Sequence, residues 1–211
     1  MFTDRVDAGQ QLAARLREYA AAPDTVVLGI PRGGVVVAAE VARALNLPLD
    51  IVLAAKVGAP ANPEFAVGAV TADGEVIANP LVAMSESEVL VISGAAREKV
   101  AHQLASLRGS RAPLQLAGLT AIVVDDGVAT GLTALAAVRY LKRQGASVVF
   151  AAPVAAAQAA AALSAEADRF VAVLVPDSFL AVGQFYVRFG QTADAEVRDL
   201  LGVDGGSPTS S

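Results

Sequence analysis

The chain has 211 residues, 55% of them hydrophobic and 18% charged, with a formal net charge of −5 and no cysteine. That length and a mean hydropathy of +0.53 suffice for one domain with a sizeable core. The acidic balance argues against a general nucleic-acid-binding surface, and the lack of cysteine excludes disulfides, thiolate metal sites and a Cys nucleophile.

Asp4, Arg5 and Asp7 near the start do not follow the basic-then-apolar order of a signal peptide. No stretch reaches the roughly 18 strongly apolar residues of a membrane span. A soluble, cytoplasmic protein without membrane or nucleic-acid partners is the expectation. Leu12, Leu16 and Tyr19 at helical spacing predict a helix over 7–20. Residues 25–30 form a short buried strand, broken by Pro31-Arg32-Gly33-Gly34. A helix follows over 35–45 and stops at Asn46 and Pro48. Residues 49–54 read as a second strand, with Lys56 just beyond its carboxyl end.

Residues 57–80 break this rhythm with prolines, glycines and two short apolar runs, 65–70 and 75–78. Asp73-Gly74 between those runs is a hairpin signal. A helical pattern resumes over 86–107, and His102, the only histidine, lies on it as a surface residue or one able to approach a closed site. Further strands are expected at 118–124, 147–151 and 169–175, and helices at 131–144, 155–163 and 192–201. An aromatic-rich loop spans 176–190, and 205–211 reads as a disordered tail. Alternating strands and helices predict an α/β fold with an open parallel sheet, the segment 57–110 being an insertion over one end.

The most informative run is Ala121-Ile122-Val123-Val124-Asp125-Asp126-Gly127-Val128-Ala129-Thr130-Gly131-Leu132-Thr133. Four apolar residues end in two carboxylates, and a loop of small and hydroxyl residues then opens a helix. This puts two acids and backbone N–H groups at the carboxyl end of a buried strand, where open α/β sheets bind ligands. The acids suit vicinal sugar hydroxyls, or a divalent cation held through water. The loop beside a helix N-terminus suits a phosphate. The rival reading is an ordinary polar turn between strand and helix. A P-loop does not fit, because Leu132 and Thr133 stand where its lysine would be.

Residues 121–133 resemble the phosphoribosyl pyrophosphate (PRPP) motif of type I phosphoribosyltransferases. Ile30–Gly34 and Lys56–Phe65 resemble segments of a bacterial group within that family. The resemblance spans roughly 25–200 and implies a parallel-sheet core in a single domain over 1–204, with a lid at 57–110 and a C-terminal hood at 175–190. It implies ribose-hydroxyl contacts for Asp125 and Asp126, and 5′-phosphate contacts for Gly127, Val128, Ala129, Thr130, Gly131 and Thr133. Arg32, Gly33 and Gly34 correspond to the pyrophosphate loop, where a non-proline cis peptide is often found. Lys56 is a second candidate for the diphosphate. Mg²⁺ is the implied cofactor, approached by Asp125 and Asp126, and a homodimer is a common family arrangement.

Arg32, Lys56, Asp125 and Asp126 thus form the implied catalytic set. The activity implied is transfer of ribose 5-phosphate from PRPP to a nitrogenous, heterocyclic acceptor, within nucleotide metabolism. A PRPP-sensing protein without turnover is the alternative; a diphosphokinase and a PRPP or nucleotide hydrolase are weaker rivals. Two departures bear on the acceptor. Ala129 stands where 6-oxopurine members carry an acid. Residues 175–186 resemble the hood of hypoxanthine-guanine members, which implies that Phe179 stacks on the acceptor, yet the acid that follows in that hood has no counterpart near Val187.

Overall fold

The computed structural model describes residues 1–71, 73–112 and 114–203, and only the backbone of Pro63 and Glu64. The tail expected at 205–211 therefore lies outside the described residues.

Five strands form a parallel sheet: β1 (Thr25–Gly29), β2 (Leu49–Ile51), β6 (Thr120–Val124), β7 (Ser147–Val154) and β8 (Arg169–Leu174), in the order β2-β1-β6-β7-β8. The central strands are apolar at successive positions because both sheet faces are covered. On one face Val27, Ile122, Val124 and Val149 meet Leu12 and Leu16, together with Val37 and Val41 of α2 (Gly33–Leu45). Leu12 belongs to α1 (Arg5–Ala13), and Leu16 follows it. On the other face Val26, Leu28, Val123 and Phe150 meet Val138 and Leu141 of α5 (Leu132–Arg143) and Leu163 of α6 (Ala157–Glu166). The register aligns Gly29 with Val124 and Val124 with Ala151, so the loops after β1 and β6 leave the sheet side by side.

The segment between β2 and β6 builds a second, antiparallel sheet: β3 (Ala54–Ala59), β4 (Asn62–Thr71) and β5 (Val76–Ala78). This corrects the reading of 49–54 as one strand. The parallel strand ends at Ile51, and Ala54 and Lys56 belong to β3, where Lys56 pairs in register with Ala69. The pattern over 86–107 is two helices, α3 (Glu86–Ile92) and α4 (Gly94–Arg108). A capping box starts α3: Glu88 N–H donates to Ser85 Oγ at 3.3 Å, and Ser85 N–H to Glu88 Oε2 at 2.7 Å. Buried Ser93 divides the helices and donates its hydroxyl to the Leu90 carbonyl at 2.7 Å.

The inserted lobe is seated on the main domain. Ala69 and Ile77 pack on Leu132 and Ala136 of α5. Val100 and Leu107 of α4 pack with Val35, Ile51 and Leu53, and with Val197 and Leu201 of α7 (Asp194–Leu201). Among the described residues no helix is long and apolar enough to cross a membrane.

Candidate active site

Buried β6 runs straight into Asp125 and Asp126, so their backbone is fixed by the sheet core. Asp125 N–H donates to the Ala151 carbonyl at 3.3 Å. Asp125 Oδ1 accepts from Asp126 N–H at 2.8 Å. Burial, reinforced by the neighbouring Asp126 charge, pushes the Asp125 carboxyl well above the ordinary carboxylate range. A ligand donating hydroxyls here would restore the charged form.

The following loop leads to the N-terminus of α5, with Gly131 as its N-cap. Val128 is drawn into the fold: its N–H donates to the Val154 carbonyl at 2.9 Å, and its carbonyl accepts from Ala156 N–H at 2.8 Å. That N–H is therefore already satisfied. Among the described residues, the N–H groups of Gly127, Ala129, Thr130 and Gly131 have no protein acceptor. Ala129 and Thr130 are exposed. Unsatisfied N–H groups beside a helix start are the groups that bind a phosphate.

The loop after β1 faces these acids. Its Pro31–Arg32 peptide is cis, as the resemblance implies. Gly33 is required by close approach: a Cβ there would run into the Asp126 carboxylate and would lie 2.6 Å from Arg5 Nε. The Arg32 side chain turns toward a cleft of about 820 Å³, lined also by Lys99, His102 and Gln103 of α4 and by Asp194. Arg32 and Asp194 stand 3.8 Å apart, both half-exposed. His102 and Lys99 thus line the same cleft as Arg32. Lys56 is exposed on β3 and is not among the residues lining it. Its expected place beyond the end of a parallel strand is corrected by the second sheet, which carries it.

The segment after β8 covers the loop. Val182 lies so close to Gly127 that a Cβ at Gly127 would collide with it. Phe179 is half-buried and packs at 5.3 Å, tilted, against Phe185, in a cluster with Phe2, Val154 and Tyr186. Tyr186 donates its hydroxyl to the Asp126 carbonyl at 2.5 Å. Burial, reinforced by the Asp126 charge, raises the Tyr186 phenol far above its ordinary value and keeps this donor protonated.

Sequence reasoning missed Arg5. Its Nε donates to Asp126 Oδ2 at 2.7 Å, Nη1 donates to the Gly190 carbonyl at 2.7 Å, and its guanidinium lies 4.1 Å from the centre of the Phe189 ring. Both side chains of the ion pair are largely buried, at 13% and 16% exposure. The partners are 121 residues apart, so no local pattern announces the pair.

Among the described residues no group of three or more His, Asp or Glu side chains could hold a metal. Asp125 and Asp126 would hold a divalent cation only through water, as two acids of which one is already engaged by Arg5.

A parallel sheet with paired acids at a central strand end, a loop of unsatisfied N–H groups and a facing arginine-glycine loop is the arrangement that the phosphoribosyltransferase resemblance implies. The model of the phosphoribosyl transferase domain matches residues 2–189, and the chain belongs to that family. Two Mycobacterium tuberculosis proteins named "Putative phosphoribosyl transferase", from strains CDC 1551 / Oshkosh and H37Rv, are each 40% identical over 206 residues. The match takes in 95% of this chain and 46% of theirs, so the chain spans about half the length of the curated relatives it matches. The crystal structure of TT1426 from Thermus thermophilus is 42% identical, with a TM-score of 0.80, covering 95% of this chain and 97% of that one. A hypothetical protein from Neisseria gonorrhoeae, solved with bound ppGpp, shares the fold at 16% identity and a TM-score of 0.52, covering 94% of this chain and 92% of its own.

Proposed function

We propose that this chain transfers ribose 5-phosphate from PRPP to a nitrogenous, heterocyclic acceptor and releases pyrophosphate. The observation that carries the reading is the pairing of Asp125 and Asp126 with the loop of unsatisfied N–H groups at the start of α5, directly opposite Gly33. The carboxylates hold the ribose 2′- and 3′-hydroxyls. Gly127, Ala129, Thr130 and Gly131 cradle the 5′-phosphate with backbone N–H groups, and Thr133 adds a hydroxyl. Val128 shapes the loop, its N–H donating to the Val154 carbonyl rather than to the phosphate.

The diphosphate lies along Arg32, Gly33 and Gly34, toward the cleft that Lys99 and His102 line. In the transfer, the bond from sugar C1 to the diphosphate oxygen breaks and its electron pair leaves with pyrophosphate. An acceptor nitrogen lone pair forms the new bond to C1, and the acceptor proton passes to water. Negative charge grows on the leaving oxygens, where Arg32 and Lys99 lower its energy. Mg²⁺, when bound on the substrate, neutralises part of that charge. Asp125 and Asp126 fix the ring while C1 gains positive character, and Phe179 offers an aromatic face to the acceptor. Ala129 provides no carboxylate for an acceptor ring nitrogen, which disfavours the usual 6-oxopurine chemistry.

The test is pyrophosphate release from PRPP with a panel of nitrogenous bases. Release that depends on one base, and that Arg32→Ala abolishes, supports the transferase. Base-independent release would identify a hydrolase. Tight PRPP binding with no release under any base would identify a sensor.

A further inference from the structure

We infer that Arg5 is a positioning residue of the donor site, and that the N-terminal helix is thereby part of the ribose-binding machinery. This rests on the PRPP reading above and assigns a role within it to a residue outside the strand-end motif.

Four separate segments converge on Asp126. The strand-end motif supplies the carboxylate. The loop after β1 presses Gly33 against it, leaving no room for a Cβ. Tyr186 donates to its backbone carbonyl. Arg5 holds Oδ2 at 2.7 Å and ties the same guanidinium to the Gly190 carbonyl and the Phe189 ring. Arg5 occupies Oδ2, and the neighbouring Asp125 carboxyl is the other side-chain partner of the Asp126 carboxylate, so the two acids are oriented together. A charge-assisted bond to one carboxylate oxygen fixes the plane of the group and so aims the other.

Arg5 is itself held in place. Asp4 caps α1 by accepting from the Val6 and Asp7 N–H groups, each at 3.1 Å. Phe2 exchanges backbone bonds with Phe185 and Val187, each at 2.8 Å, so the residues just before α1 run along the hood. A single guanidinium therefore links the ribose-facing acid to the hood backbone. Lysine would keep the charge but cannot make both directed bonds from one planar group.

The experiment compares Arg5→Gln, Arg5→Lys and Arg188→Gln with the parent protein, by PRPP titration and by steady-state kinetics. Arg188 pairs with Asp4 at 2.6 Å on the surface and tethers the same N-terminal segment without touching Asp126. We expect Arg5→Gln to weaken PRPP binding and raise the KM for PRPP about tenfold, with kcat changed less than threefold, because the lost interaction is present both before and during reaction. Arg5→Lys should recover part of the affinity, and Arg188→Gln should match the parent. Thermal melting of each variant confirms that folded protein is compared.

Equal losses in Arg5→Gln and Arg188→Gln would reduce Arg5 to a tether and overturn the inference. So would unchanged PRPP affinity in folded Arg5→Gln or Arg5→Lys. A parent protein that does not bind PRPP would instead overturn the donor-site reading.

Discussion

At the scale of single residues, the site is governed by carboxylates set close together and by backbone that must approach them. The raised Asp125 carboxyl has a definite pH consequence. Its folded value lies above its ordinary one, so the stability it contributes is complete below the ordinary carboxylate range and is lost as pH rises through the folded value. Hydroxyl donors favour the charged form, so PRPP binding should strengthen as pH rises through the same value and should release a proton. Titration calorimetry in buffers of different ionisation enthalpy reads that proton, and Asp125→Asn should abolish its release. Gly33→Ala is a second residue-scale test. The added methyl meets the Asp126 carboxylate and Arg5, so destabilisation of about 1–3 kcal/mol in denaturant melts is expected, with loss of PRPP binding. The two acids and the glycine loops were legible in the sequence because strand, acids and loop are contiguous. Arg5 was not, because its meaning depends on a helix packed against a hood 185 residues away.

At the scale of elements, the parallel strands were readable from buried runs such as 121–124, whose side chains alternate between two covered faces. Of the second sheet, the β4–β5 hairpin was readable from Asp73-Gly74 between two apolar runs, but β3 was not. Ala54–Ala59 carries little strand preference of its own and becomes β3 through antiparallel pairing with β4, a tertiary effect on a weak local signal. Reading 49–54 as one strand put Lys56 just beyond a parallel strand, whereas it lies on β3 and α4 supplies a wall of the cleft that Arg32 lines. The wall is anchored by a largely buried ion pair: Arg108 donates to Asp50 Oδ1 at 3.3 Å, to Oδ2 at 3.2 Å and to the Ile51 carbonyl at 3.1 Å. Asp50→Ala leaves the guanidinium without its counter-charge and should cost about 3–5 kcal/mol in urea unfolding. Lys99→Ala, on the exposed face of the same helix, should leave stability within about 0.5 kcal/mol of the parent while weakening pyrophosphate inhibition.

At the scale of the molecule, two loops at the carboxyl ends of adjacent parallel strands form the proposed donor site, and the segment after β8 and the N-terminal helix pack beside it. Helix α4 and α7 bound the cleft that Arg32 lines, while Phe179 sits in the cluster after β8. The proposed donor site is thus rooted in the sheet core, whereas Phe179, the proposed acceptor contact, lies on a loop, which is why the sequence speaks more clearly about the donor. The most direct test is equilibrium titration of the chain with PRPP and Mg²⁺, in parallel with Asp126→Asn. One saturable site, weakened at least tenfold by Asp126→Asn at unchanged fold, is the predicted result. Equal affinity in the two proteins, or no binding by the parent, would contradict the account.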